Sequence, residues 1–183
     1  MIDRLLASDG YRSHLFNYFA DMMRLADQAN KVRYYTYQDW LKMQIAENVP
    51  WDRMVHAMMT AEGKLLENGA TGYLLRDAGM RLDKLSLTLS TFLGANVSCA
   101  QCHDHPFADW TQRQFFEMAS FFGATETYGA RKSGKSEEAA MMRKAIASID
   151  SKQVQKQAKD IVRVNTMAVE DTAENDLRLP DDY

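Results

Sequence analysis

Within seven consecutive residues, Cys99 to His105, the chain places both of its cysteines and two of its four histidines. Cys99-Ala100-Gln101-Cys102-His103 has the Cys-x-x-Cys-His spacing of c-type haem attachment. Two cysteines one helical turn apart can form thioethers to the two vinyl groups of one porphyrin. The histidine directly after them then lies under the ring, where a ring nitrogen can take an axial position on the iron. The protein's part in such a site is to choose the axial ligands, dry the pocket and set the potential, while the cofactor carries the electron. The expected cofactor is haem c, with Cys99 and Cys102 as attachment points and His103 as proximal ligand.

Other chemistries compete for the same residues. A zinc or iron ion can use Cys99, Cys102 and His105 in a Cys-x2-Cys-x2-His arrangement, with a fourth ligand from elsewhere. A redox dithiol normally sits at a strand-to-helix junction, and no strand is expected before Cys99. A structural disulfide, or two buried thiols beside a solvated His-Asp-His turn, is the plainest account. Haem ranks ahead of metal on the spacing, and metal ahead of the rest. His105, two residues past the proximal position and on the same side of the ring, is not placed to be the distal ligand. The other histidines read as structural: His14 as a packing residue at the edge of an apolar stripe, His56 as a surface residue. Met118, Met141 and Met142 are the candidate thioether ligands, although most methionines fill cores.

The motif needs elements to hold it. Leu82, Leu85, Leu89, Phe92 and Leu93 recur on one side of a helix over about Leu82–Leu93, and Gly94 is a natural C-cap that delivers the chain into the cysteines. Thr111 and Gln114 form a capping box for a second helix, to Phe122, rich in aromatic residues. The expected fold is therefore all-α: an irregular helical domain with the Cys-x-x-Cys-His turn between two core helices.

The rest of the chain reads as helical too. A short helix spans Ile2–Leu6, and a longer one runs from Tyr11 to Ala29 with Leu15, Tyr18, Phe19, Met22, Leu25 and Ala26 facing inward. Tyr34–Tyr37 is expected to be an aromatic turn. Thr36 with Asp39 resembles a capping box, starting a helix to Glu47 with Trp40, Leu41 and Ile45 in the core. Pro50 opens the next helix, which buries Trp51, Met54, Val55 and Met58. The glycines of Ala61–Gly72 suggest a loop, and Tyr73–Gly79 a helical turn. Residues 124–135 are expected to be a mobile loop, and Ser136 to cap a helix from Glu137 to Ile149. Lys152–Lys159 is strongly polar, and Ile161–Val164 suits a short strand or a helix end. The stretch 170–183 is acidic without a hydrophobic period, as in an extended tail.

With 183 residues, 46% of them hydrophobic and 26% charged, the chain suits a single helical domain of 1–183. A net charge of −3 gives no electrostatic reason for a nucleic-acid partner. No apolar run approaches membrane-spanning length. Met1–Ala7 is not a signal peptide. Because bacterial haem c attachment occurs outside the cytoplasm, the haem reading implies a periplasmic or secreted protein whose leader is missing from this chain. No Ser-His-Asp set, phosphate loop or carboxylate pair stands out, so the residues leave open whether the protein is an enzyme.

Several stretches together resemble DUF1549, a cytochrome-like domain of secreted proteins of planctomycetes and their relatives. They are Ile2–Ser8, Pro50-Trp51-Asp52-Arg53-Met54-Val55, Gly79-Met80-Arg81-Leu82-Asp83 and Gln114–Ala119, with Leu177–Tyr183 like a family segment that normally runs on. The most specific is Phe92-Leu93-Gly94 through Cys99-Ala100-Gln101-Cys102-His103-Asp104-His105-Pro106-Phe107 to Asp109-Trp110. The resemblance implies an exported, multidomain parent protein in which a DUF1553 region follows, and in some members a separate cytochrome-c domain precedes. It also implies that the chain is a partial product. The departure lies in the first long helix, where His14–Phe19 replaces the Trp- and Arg-rich run expected there.

Overall fold

The structure, a computed structural model, describes residues 1–29, 32–128, 137–175 and 177–178. Helices dominate them, as few prolines and glycines would dictate. In chain order they are α1 (Ile2–Leu6), α2 (Asp9–Met22), α3 (Tyr35–Ala46), α4 (Trp51–Met59), α5 (Gly72–Arg76), α6 (Arg81–Leu93), α7 (Gln112–Ala119), α8 (Glu137–Ala147) and α9 (Lys152–Asn165). The fold is nevertheless not all-α. Strands β1 (Gln28–Ala29) and β2 (Val32–Arg33) form an antiparallel hairpin, with Gln28 opposite Arg33. Three more, β3 (Gly63–Lys64), β4 (Thr125–Tyr128) and β5 (Ala168–Asp171), make a small sheet in the order β3-β5-β4. Thr125-Glu126-Thr127-Tyr128, read above as part of a mobile loop, has the alternating β-branched and aromatic residues that suit a pleated surface. Residues 129–136, which hold the rest of that loop and the expected Ser136 cap, lie outside the described residues.

The chain divides into two compact units. The first comprises Met1–Arg76 and Tyr128–Val169, the second Asp77–Thr127 and Glu170–Tyr183.

In the first unit, the core is built from Tyr37, Leu41 and Ile45 of α3, Met54 and Met58 of α4, Leu65, and Tyr73, Leu74 and Leu75 of α5. The Tyr37 hydroxyl lies within hydrogen-bonding reach of the sulfurs of Met58 (3.4 Å) and Met23 (3.6 Å), which share its one proton. Burial pushes that phenol far above its ordinary range. Ala61–Gly72 is not the expected loop. It contributes β3 and a 3-10 turn, Gly69–Thr71, and two of its three glycines, Gly69 and Gly72, are buried. A Cβ on Gly69 would sit 2.6 Å from Trp40 Cβ, and one on Gly72 would collide with Tyr37, so both let backbone approach α3. Lys64 pairs with Ala168, and the Leu65 amide donates to the Met167 carbonyl (2.9 Å).

Several helix boundaries differ from expectation. Helix α2 starts after the Ser8 cap and stops at Met22, and none of its residues is buried. Its Phe19 instead stacks on Trp51 at 4.9 Å. Helix α3 begins at Tyr35 with no side-chain cap. Asp39 reaches Lys42 (3.4 Å) rather than closing a box with Thr36. Ile161–Val164 lies within α9, so the strand alternative falls away. His14 and His56 are both exposed, the first against the expected packing role.

In the second unit, Leu85 and Leu89 of α6, Val97, Ala100, and Phe115 and Ala119 of α7 form one buried cluster. Leu82, Trp110, Phe116, Met118, Phe122 and Leu177 pack against it. Gly94 closes α6 in the left-handed conformation (φ 66°), which costs an L-residue but not glycine. Both halves of the Thr111–Gln114 capping box are present. The last turn of the expected helix is a 3-10 turn, Ser120–Phe122. The stretch expected as an extended acidic tail is in part tied down. The Thr172 amide donates to the Ala124 carbonyl (2.9 Å), and Asn175 Nδ2 to the Ser120 carbonyl (2.9 Å).

Candidate functional site

Gly94 turns the chain out of α6, and Asn96 starts the next turn by accepting the Ser98 hydroxyl (2.8 Å) and amide (3.3 Å) through Oδ1. Ser98–Gln101 is a 3-10 turn. Three residues per turn bring positions i and i+3 to the same side. Val97 and Ala100 go into the core at 0% exposure, leaving Cys99 and Cys102 outward as exposed, free thiols.

Three polar side chains staple this turn to both helices. Gln101 Nε2 donates to Ser86 Oγ (3.1 Å) and lies 3.4 Å from Asp83 Oδ1, both on α6. Gln112, buried at the start of α7, donates through Nε2 to the Gln101 carbonyl (3.1 Å). Its backbone amide donates to Asp104 Oδ1 (2.8 Å). A carboxylate is favoured there by the unsatisfied amides of a helix start. Gln101 and Asp104 fall within the motif run, but their partners, and Gln112 altogether, are not legible in the sequence, because a glutamine or aspartate carries no spacing signal.

The two histidines of the motif are held in opposite ways. His103 is exposed, and its Nδ1 lies 2.7 Å from the Asp104 carbonyl oxygen. A carbonyl only accepts, so Nδ1 carries a proton, and in the neutral ring Nε2 keeps its lone pair. His105 is half-buried, and its Nδ1 lies 3.1 Å from the Phe107 amide, which only donates. Nδ1 is therefore the acceptor, and in the neutral ring the proton sits on Nε2. The His105 backbone amide closes the loop by donating to the Trp110 carbonyl (2.8 Å).

Among the described residues, no group of three or more His, Cys, Asp or Glu side chains is placed to hold a metal ion. Alongside α7 runs an open groove of about 530 Å³ lined by Asp109, Trp110, Gln114, Glu117, Met118 and Phe121. Phe107 and Leu93, close to the motif in sequence, are 94% and 73% exposed. Met118 is half-buried in that groove, whereas Met141 and Met142 are exposed on α8 of the first unit.

These residues fit a covalently held haem. Both sulfurs are accessible, the histidine directly after them has Nε2 as the free nitrogen of its neutral ring, and uncovered apolar side chains flank the motif in sequence. The site and fold define a class: a mainly helical domain whose cysteine turn is pinned between two core helices. The chain belongs to the family PSCyt2, described as a protein of unknown function (DUF1549), which matches residues 1–127. No curated protein and no solved structure matches the chain. Among the described residues, no helix is long and apolar enough to cross a membrane.

Proposed function

We propose that this domain carries one haem c, tethered through Cys99 and Cys102 with His103 as proximal ligand, and that it serves electron transfer. The observation that carries the reading is the His103 ring, held through Nδ1 by the Asp104 carbonyl on the turn that exposes both thiols. A backbone acceptor on the far nitrogen fixes ring orientation and raises the basicity of Nε2. When bound, the haem supplies a one-electron couple. The chain's own groups then have distinct tasks. Asp104 holds His103, Gln101 and Gln112 fix the turn, and Val97 and Ala100 root it in the core.

The same geometry weighs against a zinc or iron ion on Cys99, Cys102 and His105, since the His105 Nδ1 is engaged and its Nε2 protonated. In this proposal the domain acts in the periplasm or outside the cell. It gives redox service to a DUF1553-like region, or to a separate cytochrome-c domain, of a larger exported protein.

The test is production in a host that matures c-type cytochromes. The purified protein is expected to be red, with a c-type pyridine haemochrome band, and the Cys99→Ala/Cys102→Ala variant to lose covalent haem. A colourless product containing one equivalent of zinc overturns the proposal.

A further inference from the structure

The first unit contains a concave feature that the haem reading leaves unused. Helix α9 packs along β2, and between α9, the β1–β2 hairpin and the start of α3 lies a cavity of about 660 Å³. That is the size of a small-molecule site. Among the described residues, its wall carries three cations, Arg33, Lys156 and Arg163, against a single acid, Asp160.

The acid neutralises only one of them. Asp160 pairs with Arg163 at 3.1 Å. Arg33 is engaged by the Tyr35 hydroxyl, a neutral partner, and no acid among the described residues pairs with it. The Lys156 side chain makes no ion pair or hydrogen bond among the described residues. Two uncompensated positive charges thus share one concavity in a chain whose net charge is −3. Low-dielectric walls focus such a field and raise the local concentration of anions.

The remaining wall mixes polar residues, Gln28, Thr36 and Asn165, with an apolar part. Ile161, 62% exposed although it is an isoleucine, and Val164 lie on the same helix as Lys156. Such a wall suits the apolar part of an organic molecule, which free inorganic phosphate lacks.

We infer that this cavity binds a small organic anion, its carboxylate or phosphate group at Arg33 and Lys156 and its apolar body against Ile161 and Val164. The site is independent of the cysteines, so it stands or falls without the haem reading.

The test is a backbone amide NMR titration of the full chain at low salt with phenyl phosphate, benzoate and the neutral benzyl alcohol. Phenyl phosphate or benzoate is expected to move the Thr36, Ile161, Val164 and Asn165 amides saturably, the tighter of the two naming the anionic group. Benzyl alcohol should bind at least about tenfold more weakly, as should either anion to Arg33→Gln/Lys156→Gln. Both side chains are exposed, so an unchanged melting midpoint is expected to show that the double variant is folded. Equal binding of benzyl alcohol, undiminished binding by the folded double variant, or no saturable shift with either anion overturns the inference.

Discussion

A single proton separates the two histidines of the motif. His103 offers Nε2 because the Asp104 carbonyl takes the proton of Nδ1, and His105 spends Nδ1 on the Phe107 amide. Under the haem proposal, His103→Ala should abolish the low-spin spectrum or block maturation, while His105→Ala only perturbs it. Quantifying iron, zinc and haem in both variants from one host checks this; loss of the ion only from His105→Ala reverses the assignment. The cysteine spacing was legible in the sequence, because covalent attachment depends on it. The difference between the histidines was not, because it depends on two backbone atoms positioned by the folded loop. A second residue-scale prediction concerns Tyr37. Its folded phenol is raised above the ordinary value of 10.0. The unfolded chain therefore ionises first, and the stability present below pH 10.0 should fall as pH rises above it. Alkaline unfolding of Tyr37→Phe should lack this component, measured by denaturant midpoint against pH.

Helix starts show where local sequence suffices. Thr111 and Gln114 make their box because the contacts on either side, the Trp110 carbonyl to the His105 amide and the Gln112 amide to Asp104, leave the Thr111 and Gln114 amides to it. Thr36 does not, because Tyr34 is 2% exposed and its amide donates to the Asp27 carbonyl (3.2 Å). That burial starts α3 at Tyr35, which puts Thr36 inside the first turn. Gly69 and Gly72 resemble loop residues for a related reason: the residue type that favours turns also permits close approach. Gly72→Ala should accordingly destabilise by about 1–3 kcal/mol through overpacking against Tyr37, read as a lowered urea midpoint. The α6–α7 pair carries the largest expected effect. Phe115 is fully buried between Leu85, Leu89 and Val97, and Phe115→Ala should cost about 3–5 kcal/mol. Phe122 packs only partly, and its truncation should cost less. A melting midpoint unchanged in Phe115→Ala would count against this packing.

At the scale of the molecule, the unit that bears the cysteines is discontinuous in sequence, Asp77–Thr127 and Glu170–Tyr183. The family match stops at residue 127, where the first of these segments stops. Nothing in the acidic stretch announces its return: it has no hydrophobic period, and Leu177 is its one described residue that packs against the core. Order of synthesis gives that discontinuity a meaning in time. Ribosomes deliver roughly 5–20 residues each second. Cys99 and Cys102 emerge before all of Tyr128–Val169, and before Asn175 and Leu177 exist to close the unit. The thiols are thus offered first from an unfinished fold, during an interval of seconds whose length is set by the intervening chain.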